Sequence, residues 1–153
     1  MSIAVRIQSG EFDIAGETAA LTKGCPQIGA VVAFTGLCRD ENGRLSALEL
    51  EHYAGMADAE LGRLAIGAAK RWDLGGVTII HRFGLIRPGE QIVLVLTAAS
   101  HRRPAFEAAG FLMDYLKTRA PFWKREHLAD GSVGDWVEAA PADDEAAERW
   151  ERP

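Results

Sequence analysis

The chain has 153 residues, of which 48% are hydrophobic and 25% charged, as is typical of a single globular domain, here spanning residues 1–153. A net charge of -5 excludes a general nucleic-acid binder, so cationic groups must act locally. Two cysteines, Cys25 and Cys38, without a CxxC spacing or clustered histidines, do not support a zinc site. The sequence shows no signal peptide and no apolar run long enough to span a bilayer, which favours a cytoplasmic protein.

The first half of the chain predicts alternating strands and helices. IAVRI predicts a short strand, ETAALTKG a short helix, and IGAVVAFTG a buried strand bounded by glycines. After an Asn-Gly turn, LSALELEHY alternates apolar and polar residues, which predicts a strand with one dry face, paired as a hairpin with the strand before it. Apolar residues at helical spacing in MADAELGRLAIGAAKRW then predict a long helix.

The second half predicts two more strands and a second long helix. GVTIIHRFGLI and QIVLVLTAAS read as strands joined by a type II turn at Pro88-Gly89. RPAFEAAGFLMDYLKTRA predicts a helix that stops before Pro121. FWKREHL and DWVEA predict closing strands, and the residues from about 141 predict a short exposed helix or mobile tail. The fold class is therefore α+β, with a mainly antiparallel sheet and two long helices.

The segment DYLKTRAPFWKRE, residues 114–126, interleaves cations with aromatic residues. At 100° per residue, Lys117 falls on the same helical stripe as three less polar residues, Phe106, Gly110 and Met113. We therefore expect it to project from an apolar face at the helix end, where burial and a second cation would favour proton-transfer chemistry. Lys124 could return toward it from an adjacent strand. The alternative is a lysine that extends from the helix end into solvent.

Two further cationic clusters lie at the ends of predicted elements. FTGLCRD places Arg39 just after a predicted strand, a position typical of binding residues. The alternative is a surface arginine in a loop. SHRRPAF places His101, Arg102 and Arg103 where a strand ends and a helix begins. Free backbone N–H groups there, with two guanidinium groups and an imidazole, predict a phosphate or carboxylate site. Alternatively, Ser100 caps the helix and the arginines are solvated.

Five motifs carry a family resemblance: FTGLCRD, LELEHYAGM, HRFGLIRPGE, SHRRPAFEA and DYLKTRAPFWKRE. In the same order and spacing, from about residue 28 to 138, they resemble the large, catalytic subunit family of molybdopterin synthase. The resemblance implies an α/β hammerhead-like fold and the transfer of two sulfurs to cyclic pyranopterin monophosphate, which forms the molybdopterin dithiolene. It implies a small ubiquitin-like partner with a Gly-Gly thiocarboxylate, and a heterotetramer around a central homodimer of large subunits. No metal or redox cofactor is implied, since the sulfur arrives already reduced.

The resemblance also implies roles for particular residues. Lys117 is expected to act as general acid/base, and Lys124 to hold the thiocarboxylate or the developing negative charge. Arg39, His101 and Arg102 are expected to anchor the substrate phosphate. The full expected substrate-binding set comprises Leu37, Cys38, Arg39, His101, Arg102, Lys117, Lys124, Arg125 and Glu126.

Two departures from the family pattern and two alternatives remain. Leu37-Cys38 precedes Arg39 where relatives often carry a longer polar loop, and Ala54 stands where proline is common. Cys38 is expected to be a packed residue rather than a sulfur carrier. The alternatives are a phosphate-binding module without catalysis and an interaction protein that docks a ubiquitin-like fold through a strand edge.

Overall fold

The computed structural model describes residues 1–118, 121–137 and 141–151. Within these ranges seven strands form, β1 Ser2–Gln8, β2 Ala30–Leu37, β3 Leu45–His52, β4 Gly76–Arg82, β5 Gly84–Ile86, β6 Gln91–Ala99 and β7 Phe122–Leu128. They alternate with four helices, α1 Ile14–Thr22, α2 Met56–Arg71, α3 Arg102–Thr118 and α4 Pro141–Glu148, followed by a 3-10 turn Arg149–Glu151. The predicted residues 119–120 of the second long helix and the end of the DWVEA strand lie outside the described residues.

The strands form two sheets. The first has the order β1-β4-β6-β2 and is antiparallel except for the parallel pair β1–β4. The second has the order β5-β3-β7 and is antiparallel throughout. The two long helices, α2 and α3, cover one face of the first sheet, where Leu61, Ile79, Val95 and Leu112 form the main core. The predicted α+β class, mainly antiparallel sheet and two long helices are confirmed.

The predicted hairpin between β2 and β3 is wrong. The turn itself forms, with Asn42 and Gly43 both at positive φ and the Leu45 N–H donating to the Asp40 carbonyl at 2.9 Å. However, β2 pairs with β6, while β3 pairs with β5 and β7. The turn passes the chain from the first sheet to the second, because β3 packs its dry face on Cys38 and Ile86 instead of extending the first sheet.

The predicted strand GVTIIHRFGLI is divided between the two sheets. β4 ends at Arg82 and β5 begins at Gly84, whose φ of 92° is a left-handed conformation suited to glycine. The following turn is of the predicted type II, with Gly89 at φ 87° and the Glu90 N–H donating to the Arg87 carbonyl at 3.0 Å. This junction brings the ends of both sheets together.

The C-terminal part of the described chain covers β7 and α3. In place of the predicted DWVEA strand, Val133 and Val137 form isolated bridges with His127 and Lys124 along the outer edge of β7. Helix α4 packs on α3, so the segment predicted as a tail holds ordered secondary structure; its mobility in solution stays a prediction. In the part of the chain that the structure describes, no helix is long and apolar enough to cross a membrane.

Candidate active site

Lys117 lies in the last turn of α3. The helix buries a face of small and branched residues against the first sheet, namely Ala105, Ala108, Leu112 and Leu116. Lys117 lies beside this face, and its side chain is exposed in the single chain. Phe106, which shares its predicted stripe, is 64% exposed. The buried face of α3 is therefore turned away from the stripe that the sequence predicted, and Lys117 borders the core rather than entering it.

An aromatic stack joins the two sheets next to Lys117. Phe122 of β7 stacks on His81 of β4, with ring centroids 3.9 Å apart and planes inclined by 19°. His52 of β3, the cross-strand neighbour of Phe122, approaches the same ring at 5.9 Å. Burial lowers the pKa of His81 to about 4, and the positive charge of nearby Lys117 contributes. The end of α3 and the start of β7 therefore meet at one place.

Lys124 lies two residues after Phe122, on the same face of β7. Its cross-strand neighbour is Leu50, which is buried in a small cluster with Cys38 and Ile86. The Lys124 side chain itself is exposed. Phe122 packs against the same core cluster as Leu116, the residue before Lys117, so the two lysines extend from adjoining parts of α3 and β7.

Arg125 and Glu126, the remaining candidates on β7, form ion pairs within the chain. The Glu126 carboxylate accepts hydrogen bonds from the Arg44 guanidinium at 2.7 and 3.2 Å, and this pair lowers the pKa of Glu126. The Arg125 Nε–H donates to Glu49 at 2.8 Å, and the Arg125 guanidinium lies over the Trp136 ring at 4.5 Å. Glu49 and Glu126 are thus each paired with an arginine.

The Leu37–Arg39 segment leaves the end of β2 and passes beside β3. Cys38 is only 4% exposed; its N–H donates to the Glu90 carbonyl at 2.9 Å and its carbonyl accepts from Gly89 at 2.8 Å. Burial raises the pKa of the Cys38 thiol. Leu37 and Arg39 are exposed, and the Arg39 guanidinium lies 3.9 Å from the Glu41 carboxylate. Arg39 is therefore available to a ligand, whereas Cys38 is packed.

His101 and Arg102 lie at the other end of the molecule. They follow β6 directly and start α3, and their side chains are exposed. Arg102 and Lys117 are fifteen residues apart on one helix, which corresponds to about 22 Å. The structure therefore brings Lys117 and Lys124 together at one end of α3, with Arg39 leaving β2 beside the start of β6, but leaves the histidine–arginine pair remote from them in the same chain.

Sequence reasoning missed a cleft on the second sheet, next to Trp123 of β7. It has a volume of about 490 Å³ and is lined by Glu51, His52, Tyr53, Trp123 and Trp136. Tyr53 and Trp123 contact edge to face with centroids 4.6 Å apart. The aromatic residues of FWKRE were visible in the sequence, but the pairing of β3 with β7 that brings Tyr53 to Trp123 was not. His81 was missed because a histidine inside an apolar strand resembles a core residue.

The fold is that of an α+β protein, with exposed lysines at the end of α3 and on β7. The chain belongs to the family described as MoaE protein, which its residues 7–119 match.

Individual relatives support the same assignment. A "Molybdopterin synthase catalytic subunit" of Mesorhizobium japonicum is 66% identical over 146 residues, which cover 95% of this chain and 92% of that protein. The solved structure of a "Molybdopterin biosynthesis MoaE protein" from Burkholderia ambifaria superposes with a TM-score of 0.84, at 46% identity and full coverage of both chains. A chain in a complex of subunits 1 and 2 of molybdopterin-converting factor from Helicobacter pylori shares the fold, with a TM-score of 0.71, 19% identity and 90% coverage of each chain.

Proposed function

We propose that this chain is the catalytic subunit of a molybdopterin synthase. It takes sulfur from the thiocarboxylated C-terminus of a small ubiquitin-like subunit and transfers two sulfurs to cyclic pyranopterin monophosphate, giving the dithiolene. The observation that carries this proposal is the convergence of Lys117 and Lys124 at the junction of α3 and β7, in a chain that belongs to the MoaE family. The name "catalytic subunit" borne by its relatives supports a second subunit as partner.

The two lysines have different roles in this reaction. The thiocarboxylate sulfur attacks an electrophilic carbon of the pterin side ring, and Lys117 supplies a proton to the oxygen that leaves. Water then cleaves the bond between this sulfur and the acyl carbon of the partner, so the sulfur stays on the pterin and the partner's tail becomes an ordinary carboxylate. Lys124 holds the thiocarboxylate and the negative charge that develops. Both ammonium groups are exposed in the single chain. The narrow Gly-Gly tail of the partner and the pterin therefore have to exclude water from them before the chemistry starts.

The phosphate site draws on two copies of the chain. Arg39 leaves β2 beside the start of β6, whereas His101 and Arg102 lie about 22 Å from Lys117 along α3. One chain cannot bring all these cations to one phosphate. β2 is an edge strand of the first sheet, and it carries an exposed apolar residue, Phe34, which favours a contact between copies. In the proposed homodimer, His101 and Arg102 of one chain complete the site built by Lys117, Lys124 and Arg39 of the other.

Cys38 does not carry sulfur in this scheme. Its thiol is packed against Leu50 and Ile86, and burial raises its pKa, so the reactive thiolate is disfavoured. Leu37, Arg125 and Glu126 line the approach to the substrate. The ion pairs of Arg125 with Glu49 and of Glu126 with Arg44 also hold β7 in register with its neighbours.

The deciding experiment mixes the purified chain with a thiocarboxylated small subunit and the pterin precursor, and measures dithiolene formation. The matched control uses the same small subunit with an ordinary carboxylate, which can dock but has no sulfur to give. Product with the thiocarboxylate alone supports the proposal. Binding of both forms without product would instead identify a phosphate-binding or docking module.

A further inference from the structure

Two histidines at the junction of the two sheets have no role in the scheme above. His81 closes β4 and stacks on Phe122, while His52 lies 5.9 Å from the same ring and 4.8 Å from the ring of Phe83. Phe122 packs against the same core cluster as Leu116, the residue before Lys117, so the ring that it stacks on, His81, lies near the end of α3. The positive charge of Lys117 is among the causes that lower the pKa of His81, in agreement with this position.

The protonation of His81 follows from its contacts. Its Nδ1 lies 2.8 Å from the carbonyl oxygen of Arg82. A carbonyl can only accept, so Nδ1 carries the proton, and in the neutral ring Nε2 keeps its lone pair. Burial is the largest cause that lowers the pKa of His81 to about 4, followed by the charges of Lys117 and His52. The ring is neutral near pH 7 and offers one hydrogen-bond acceptor.

A neutral acceptor is well suited to the neighbourhood of a catalytic lysine. An ammonium group has three donors and no acceptor, so a lone pair can fix its direction. A carboxylate in the same place would hold the lysine as a permanent cation, whereas a neutral imidazole leaves its proton available for transfer. The cross-strand neighbours of His81 are Ile7 of β1 and Val93 of β6, which cannot compete for the lone pair.

His52, the second histidine of this junction, has a ring nitrogen whose hydrogen bonding is not satisfied within the described residues. Its side chain is 12% exposed, and its Nδ1 is buried without a hydrogen-bond partner among the described residues. The nearest carboxylate oxygen, from Glu51, is 3.8 Å away, beyond hydrogen-bonding distance. A buried polar atom left unpaired in this way marks a place where a water or ligand atom is expected. The Nδ1 atom of His52 is therefore a place where this junction can bind a polar atom from outside the chain.

We propose that His81 is a positioning residue for Lys117, with its Nε2 accepting a hydrogen bond from the Lys117 ammonium group and directing that group toward the reacting atoms. This inference rests on the proposed function, because it needs Lys117 as general acid/base. The exposed lysine side chain is free to turn toward the ring. The hydrogen bond orients the ammonium group before the pterin arrives.

Two conservative variants separate positioning from a structural role. In His81→Gln the amide oxygen can replace the Nε2 acceptor, whereas in His81→Asn the amide N–H can replace the Nδ1 donor to Arg82 but nothing replaces Nε2. We expect His81→Asn to lower kcat about 100-fold with KM and partner binding unchanged, the loss typical of a misplaced catalytic group. His81→Gln should retain most of the activity. Equal activities, or the reverse order expected if the Arg82 contact matters more, would overturn the proposal.

A second measurement does not depend on turnover. The ¹⁵N resonance of His81 Nε2 reports directly on its lone pair, so it should move in Lys117→Met and stay in place in Lys124→Met. An unchanged resonance in both variants would refute the positioning contact even if the enzyme is active. Conversely, absence of dithiolene product with the unaltered chain would refute the proposed function alone, since the resonance still tests the contact.

Discussion

Two carboxylates of the second sheet, Glu49 and Glu126, form ion pairs with residues other than Lys117 and Lys124. Glu126, which lies on the Lys124 face of β7, is bound by Arg44, and Glu49 is bound by Arg125 and His127. Among the described residues, neither lysine forms an ion pair. Arg44 and Arg125 thus bind Glu126 and Glu49, and in the proposed reaction the lysines are available to the thiocarboxylate and the phosphate.

Replacing Lys117 by alanine should lower dithiolene formation by about 10²–10⁴-fold, the range expected for loss of a general acid/base. The fold and partner binding should be preserved, because alanine is favourable in a helix and the side chain is exposed. Lys117→Arg should fail as well, since a guanidinium does not release its proton. Single-turnover assays beside a binding titration measure both effects; near-normal turnover in Lys117→Ala would remove this residue from catalysis.

His81 should make the stability of the protein depend on pH in a definite window. Its pKa is about 4 in the folded chain against 6.5 for an unperturbed histidine, so below pH 6.5 the unfolded chain binds the proton more readily. The free energy of unfolding should therefore fall as the pH drops from 6.5 to 4, by about 3 kcal/mol. Above pH 6.5 this contribution is constant.

The matched control for this pH effect is His81→Phe, which preserves a stacked ring on Phe122 but cannot titrate. Urea unfolding at several pH values should give a shallower curve for this variant between pH 4 and 6.5. The paired carboxylates, such as Glu49 and Glu126, titrate in both proteins and cancel in the difference. Parallel curves would show that His81 is not held neutral.

At the level of helices and strands, local sequence patterns predicted the individual elements but not which strands pair. The spacing of apolar residues predicted α2 and α3, and Pro88-Gly89 predicted the type II turn. Helices and tight turns could be predicted because they depend on residues close together in the sequence. The hairpin of β2 with β3 was wrong because turn chemistry at Asn42-Gly43 does not determine which strands pair. The division at Gly84 was missed because GVTIIHRFGLI is apolar on both sides of the break.

The C-terminal turn should contribute measurably to stability through Trp150. Its indole N–H donates to Asp114 at 2.6 Å, and its ring lies against Trp72 and Phe111 with centroids 5.6 and 5.9 Å away. Trp150→Ala should lower the free energy of unfolding by about 2–4 kcal/mol, since it removes a large packed side chain. Trp136→Ala, which removes an indole that is 41% exposed, should cost under about 1 kcal/mol. Equal losses in urea unfolding would contradict this assignment.

For the whole molecule, the candidate cationic residues could be identified from the sequence, but their arrangement in space could not. The long lysine motif and the SHRR segment were both recognisable, but their relation in space depends on the path of β6 and α3. The chain turns back at the end of β6 into α3, and the length of α3 separates Arg102 at its start from Lys117 at its end. The junction of His52, His81 and Phe122 was hidden for the same reason, since it joins three strands distant in sequence.

The length of α3 has a consequence in genetics. If each site takes Lys117 from one copy and Arg102 from the other, two defective alleles can rescue each other in one cell. A mixture of Lys117→Ala and Arg102→Ala chains forms half mixed dimers, each with one intact and one doubly defective site, which restores about a quarter of normal activity. Co-expression and a dithiolene assay measure it, with each variant alone as control. No rescue would mean that both residues serve the same copy, whereas rescue would make the two mutations complementary although they lie in one gene.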